Sequence, residues 1–309
     1  MRMPGSQRVR LATAGARAET VGALGQQPAG ERSRSYAFHA LLLLMLSVAV
    51  LGLAILLIDA FVEGLPRFGI DLFTEGTSAL PEESGFLNAI LGTLFLIGGV
   101  IVMTVPLGVG AAIYLEEYAD RERWWNRAIE VNIQNLAAVP SIVYDILGLG
   151  VIVRGPLDLG FVVLAGSITL ALLVLPTVII AAREAIRAVP PSIREGSLAL
   201  GATQWQTVRR QVLPASIPGI TTGVILAISR AIGETAPLLL VGAAVFVSFN
   251  PSGFFDGYTV LPVQIFTYFS RAQDEYIVLA AAGIIVMLAL LIAMNSFAIW
   301  LRNRYEQKW

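Results

Sequence analysis

Residues 40–60 read ALLLLMLSVAVLGLAILLIDA. A helix rising about 1.5 Å per residue over this length covers the ~30 Å of a hydrocarbon layer, where only a helix satisfies its own backbone. The stretch is longer than the apolar core of a cleavable signal peptide, so it is expected to stay as a first transmembrane helix. Further apolar blocks follow. The expected spans are 36–62, 87–114, 133–153, 161–182, 217–247 and 276–301, which makes an all-α membrane protein, a six-helix transmembrane bundle.

Composition agrees: 56% of the 309 residues are hydrophobic and 14% charged, against roughly a quarter charged in a soluble domain. There are no cysteines, which excludes disulfides, thiolate zinc sites and iron–sulfur clusters. His39 is the sole histidine; with no carboxylate cluster beside it, it is expected to be an interfacial residue rather than a metal ligand. No phosphate-cradling loop is expected, since Lys308 at the C-terminus is the sole lysine. No paired catalytic carboxylates, no Ser-His-Asp set and no cofactor site suggest themselves, and no nucleic-acid partner is expected. Energy for any transport would come from another chain.

Residues 1–35 are rich in Gly, Ala, Arg and Gln without hydrophobic periodicity, and are expected to form a disordered cytoplasmic tail ahead of a permease domain over 36–309. Basic residues set the orientation. With both termini in the cytoplasm, the tail, the 115–132 link (Arg121, Arg123, Arg127), the 183–216 link (Arg183, Arg187, Arg194, Arg209, Arg210) and the C-terminus carry seventeen of the twenty-one Lys and Arg residues. The other side receives Arg67, Arg154 and Arg271. This bias places both ends inside, in the cytoplasmic membrane. The remaining basic residue, Arg230, falls within a span.

The 189–214 link is long and amphipathic. After Pro190-Pro191, Ser192 is positioned to cap a short helix with Glu195 completing a capping box. Gly201 supplies a positive φ to turn the chain. A second helix is expected over 202–212, and Pro214 starts the next span. Ile193, Leu198, Leu200, Trp205 and Val208 exceed what a solvated link needs, so this helix–turn–helix is expected to lie on lipid or on another protein.

Glu195, Gly201 and Leu213-Pro214 keep the spacing of the EAA loop of ABC-importer permeases: Glu-Ala-Ala, three residues, Gly, nine residues, Ile, one residue, Leu-Pro. Gly196, Ser197 and Gln211 depart from that pattern. The runs Ser229-Arg230-Ala231-Ile232-Gly233-Glu234-Thr235-Ala236-Pro237, Val139-Pro140-Ser141-Ile142-Val143-Tyr144 and Leu261-Pro262-Val263-Gln264-Ile265 resemble the phosphate-specific permeases of the PstA type, over residue 37 to the end. The resemblance implies a permease subunit that pairs with a sister permease subunit, two ATP-binding subunits that receive the 189–214 loop as a coupling helix, and a periplasmic or surface phosphate-binding protein. The same machine for molybdate or sulfate, and a non-conducting membrane sensor or scaffold, are the competing readings.

Within the fifth block, Arg230 and Glu234 are four residues apart and share a helix face. An ionised arginine inside a span must meet protein, water or a counter-ion. A pair that locks the bundle is one reading; contact of Arg230 with a passing oxyanion, with Glu234 and Thr235 on the same pathway, is the other. A continuous helix over 217–247 would run to ~46 Å, so either tilt or a break near Gly233 or Pro237 is expected. Asp145, where the resemblance calls for a small residue, is expected to partner a basic group or to lie near the outer rim. The Gly219–Gly223 spacing permits close helix packing, with dimerisation one use of it.

Overall fold

The computed structural model describes residues 29–120, 122–242 and 247–305. Residues 1–28 of the expected tail, Arg121 and Lys308 lie outside the described residues.

Helix α1, Ala29–Gly64, carries the stretch quoted above. It begins seven residues before the expected start at Tyr36, because lipid thickness limits the apolar segment of a helix and not the helix itself. Residues 29–59 belong to a unit of their own. There α1 is apolar on every side, with side chains such as Leu44, Val48, Leu51 and Ile55 exposed, the signature of a helix that faces lipid or a partner rather than its own core.

In the second unit, from Ala60 onward, the long helices are α2 Leu87–Tyr118, α3 Trp124–Ala137, α4 Ser141–Val153, α5 Val163–Arg187, α6 Pro191–Ala199, α7 Gln204–Ile232, α8 Leu261–Phe269 and α9 Asp274–Tyr305. No strand occurs among the described residues. α5 is the centre of the bundle. Leu170, Val174 and Val178 on α5 pack against Leu96 and Val100 of α2 and Ala227 and Ala231 of α7. Small residues set the distance: a Cβ on Gly219 or Gly223 would sit 2.8 or 2.4 Å from the Cβ atoms of Ala185 and Ala181. The glycine spacing therefore serves packing of α7 on α5 within the chain. A second cluster joins α8 and α9 through Tyr268, Tyr276, Leu279 and Phe86.

Among the described residues five helices are long and apolar enough to cross a membrane, and α3 with α4, bent by 102°, makes up to six. The third expected span, 133–153, is thus not one straight helix. Pro140 sits at the corner with φ −57° and ψ 139°; proline has no N–H to continue the ladder and drives its predecessor out of the helical region. The fifth expected span is corrected at both ends. α7 starts at Gln204, so the second arm of the hairpin and the span are one rod, and it stops at Ile232 with Gly233 as its cap. A π-helical turn over Val208–Val212 precedes Leu213, and this wider turn lies where Pro214, which has no N–H to give, interrupts the regular ladder inside the rod. A four-residue helix, Ala236–Leu239, follows the break. Of the two resolutions of the over-long block, the break is the one adopted.

Candidate functional site

The corner at Pro140 and the end of α7 face each other across a cavity of about 230 Å³. Its walls are Ala137, Ala138, Val139, Pro140 and Ser141 from the corner, Leu173, Val174 and Thr177 from α5, and Ala227, Arg230, Ala231 and Glu234 from α7. The short side chains of the alanines keep this space open. Arg230 and Glu234 do share one face: Nε of Arg230 lies 3.4 Å from Oε1 of Glu234. Their exposures differ. Arg230 is 74% exposed and Glu234 20%, with the guanidinium on the wall of the cavity that the Pro140 corner also lines. A pair of this length and exposure is worth little, about 0–1 kcal/mol. That bond uses Nε, and a guanidinium fork on the cavity wall suits two oxygens of one anion. Thr235 is not on the cavity lining. Its carbonyl accepts the N–H groups of Leu238 and Leu239 and opens the short helix. Thr177 and the corner residues are wall residues that the sequence reading did not single out; Pro140 in mid-block was the available signal.

Around the 189–214 loop the hairpin geometry is clear. Gly201 has φ +84° with nothing within 4 Å of a Cβ placed there. The expected capping box at Ser192 and Glu195 does not form: α6 begins at Pro191, two residues before the start that a cap at Ser192 would give, with Pro190 in the cap position and no side-chain cap. Proline at the first helical position brings the required φ and loses no bond. The capping box belongs instead to α7, where Thr203 Oγ1 accepts from the Gln206 N–H (3.3 Å) and Gln206 Oε1 accepts from the Thr203 N–H (2.9 Å). Ser197 and Thr207 hydroxyls, 2.9 Å apart, tie the two arms together. Val208 is buried, while Ile193, Leu198, Leu200 and Trp205 are exposed, Leu200 at 90%. Glu195 is exposed on the outer side of α6, and Leu213 packs against a buried cluster that includes Ile186, Val212 and Ile220.

Beside the hairpin lies a charged cluster that no sequence pattern announced. Arg183 on α5 donates to Glu116 of α2 (2.9 Å) and Glu130 of α3 (2.7 Å), and Arg187 donates to Glu116 (2.7 Å). Arg183 and Glu116 are 8% and 3% exposed. Glu117, next in sequence, accepts from Arg194 of α6 at 2.8 and 3.0 Å.

Asp145 on α4 is fully buried and neither of its oxygens has a hydrogen-bond partner. The backbone N–H of Leu240 faces it short of bonding geometry, and the buried Tyr258 hydroxyl is its electrostatic neighbour. The expected basic partner is absent among the described residues, because α4 packs against Ala236–Leu239, a segment without a basic residue. His39, on α1, has Nδ1 2.7 Å from the Ser35 carbonyl one turn earlier.

The family model described as binding-protein-dependent transport system inner membrane component matches residues 104–307. The chain belongs to this family. As such an inner-membrane component it is a multi-pass transport subunit and not itself a catalytic one. Among relatives of this transport component, the Mycobacterium tuberculosis phosphate transport system permease protein PstA 1 is 35% identical over 228 residues, covering 72% of this chain and 73% of that protein. Phosphate transport system permease protein PstA of Haemophilus influenzae is 33% identical over 222 residues, covering 72% and 77%. A chain in the crystal structure of a bacterial alginate ABC transporter with its alginate-bound periplasmic protein superposes with a TM-score of 0.66 at 17% identity, over 92% of this chain and 99% of that one. At that identity the likeness speaks for the shared fold alone.

Proposed function

We propose that this inner-membrane component is the permease subunit of an ATP-driven importer of inorganic phosphate, with Arg230 taking the anion as it passes. The observation that carries the reading is the guanidinium of Arg230 on the wall of a small-residue cavity, at the broken end of α7, held by one long bond to Glu234. Glu234 occupies the arginine while the cavity is empty, and Thr235 fixes the turn that ends the site. Relatives named as phosphate permeases support the substrate.

In this reading both termini and the 189–214 hairpin are cytoplasmic. The hairpin, with Glu195 on its surface, Gly201 at its turn and Leu213-Pro214 at its root, docks on one of two ATP-binding subunits through the exposed Leu198, Leu200 and Trp205. A sister permease subunit completes the pathway as a heterodimer, and a phosphate-binding protein delivers the anion from the opposite face. Residues 1–35 remain a cytoplasmic tail in this proposal over the part that precedes α1, and lipid covers the apolar outer faces.

The test is labelled-phosphate uptake by cells lacking this chain, with and without it restored, in the presence of unlabelled molybdate or sulfate. Uptake that returns with the chain and resists both competitors is expected. Uptake that persists without the chain points to a sensor or scaffold, and uptake abolished by molybdate or sulfate points to a different oxyanion; either result sinks the phosphate reading.

A further inference from the structure

The first arm of the hairpin has a mechanical problem. No residue of α6 is buried, so hydrophobic packing cannot carry a push from that arm into the bundle. Its backbone joins α5 through Val189 and Pro190, and Ser197 ties it to the second arm. What joins it to another span is Arg194. Its Nε and one terminal nitrogen both donate to Oε1 of Glu117, at 3.0 and 2.8 Å. The same guanidinium donates to the carbonyls of Val189 (2.6 Å) and Ile186 (2.8 Å). The Ile186 carbonyl lies in the last turn of α5, where it also accepts the Val189 N–H at 3.2 Å, and Val189 follows just beyond that helix, so Arg194 adds a side-chain cap to the end of α5.

Glu117 sits on the π-helical turn Tyr114–Tyr118 that closes α2. Its own carbonyl accepts the side-chain amide of Gln204, the first residue of α7. Glu117 is therefore gripped by both arms of the hairpin, by its side chain from α6 and by its backbone from α7. Its neighbour Glu116 has a different task, since Arg183 and Arg187 of α5 fix it within the bundle independently of the hairpin. The Arg194–Glu117 pair is 23% and 8% exposed, shielded enough that solvent screens it less than a surface pair.

We propose that Glu117 and Arg194 are positioning residues that make α6, the end of α2 and the end of α5 move as one body, so that displacement of the hairpin is delivered to the helices around the cavity. The inference rests on the docking role given to the hairpin above. A tie of this kind governs how much substrate moves per nucleotide consumed, and not whether the subunits meet.

The chain has no cysteine, which makes the test clean. The complex would be purified with its ATP-binding chains, placed in proteoliposomes with the binding protein, and scored for phosphate moved per ATP hydrolysed. Glu117→Gln should co-purify with the ATP-binding chains as wild type does, hydrolyse ATP, and move about tenfold less phosphate per ATP, the scale of an ordinary coupling between two sites. Glu117→Cys combined with Arg194→Cys should be equally uncoupled. A short bis-thiol cross-linker should bring the ratio back toward wild type and reduction should remove it again, with the wild-type chain plus reagent as the control. An unchanged ratio in Glu117→Gln, a cross-linked pair that stays uncoupled, or loss of co-purification in Glu117→Gln each overturns the proposal, the last because it marks a pair that only maintains assembly. A wild-type complex that moves a different oxyanion would defeat the phosphate reading alone, since the same ratio measured with that anion still decides the tie.

Discussion

Two groups of charges sit in this bundle and they are built differently. Around Glu116 and Glu117, three arginines and three glutamates from α2, α3, α5 and α6 meet at 2.7–3.0 Å, several of them buried. On the wall of the cavity at the Pro140 corner, Arg230 and Glu234 meet at 3.4 Å with the arginine largely exposed. Every terminal nitrogen of Arg194 already has a partner, whereas among the described residues Arg230 bonds through Nε to Glu234 and keeps surplus donors. A satisfied cluster holds helices together; an under-satisfied one is available to a visitor. Burial and bond length, and not the mere presence of opposite charges in a span, separate the two.

The sharpest way to break that comparison is to remove Arg183. Arg183→Gln removes the charge that joins Glu116 to Glu130; Glu116 keeps Arg187 and Glu130 is 38% exposed, so the cost falls at or below the lower end of the about 3–5 kcal/mol of a fully stranded buried charge. The yield of assembled complex and its thermal midpoint in detergent should both fall; a normal yield and midpoint would mean that this cluster is no more a lock than the cavity pair. Gly201→Val comes next. It leaves both charge groups untouched and strains the turn by roughly 1–3 kcal/mol. Co-purification of the ATP-binding chains should drop while the isolated chain keeps its helix content by circular dichroism, and unaltered co-purification would remove the hairpin from the docking surface. The smallest effect on stability belongs to Arg230→Gln, under about 1 kcal/mol for so exposed a pair. Its complex should assemble and hydrolyse ATP yet carry little phosphate. If the Arg230→Gln, Glu234→Gln double variant recovers wild-type uptake, Arg230 was only neutralising Glu234 and the cavity pair is a lock after all.

Much of this architecture was legible in the chain itself, for a physical reason: lipid forces each crossing segment to be helical and apolar along its whole length, so α1, α2, α5 and α9 announce themselves. The i, i+4 spacing of Arg230 and Glu234 was legible too, as was the turn at Gly201. What escaped depends on how helices meet. Pro140 was in plain view, but its 102° corner opposes the general expectation of a straight crossing, and the corner residues are one wall of the cavity. Glu117 and Arg194 are 77 residues apart, with no periodicity to link them. Ser192 lost its capping role to Pro190, two positions earlier, a competition between two sound local rules that the backbone settles.

Gly201 has one more consequence. Because the space around it is empty, the site does not ask for a small residue; it asks for one whose α-carbon has no handedness, since its backbone sits in the mirror image of the ordinary helical region. An L-alanine there is opposed by stereochemistry alone, by about 1–2 kcal/mol. Its D enantiomer, introduced by chemical ligation, would meet no such opposition and would remove freedom from the unfolded chain besides. The turn is a chirality filter rather than a size filter, and glycine passes it only because it is the one encoded residue that has no hand.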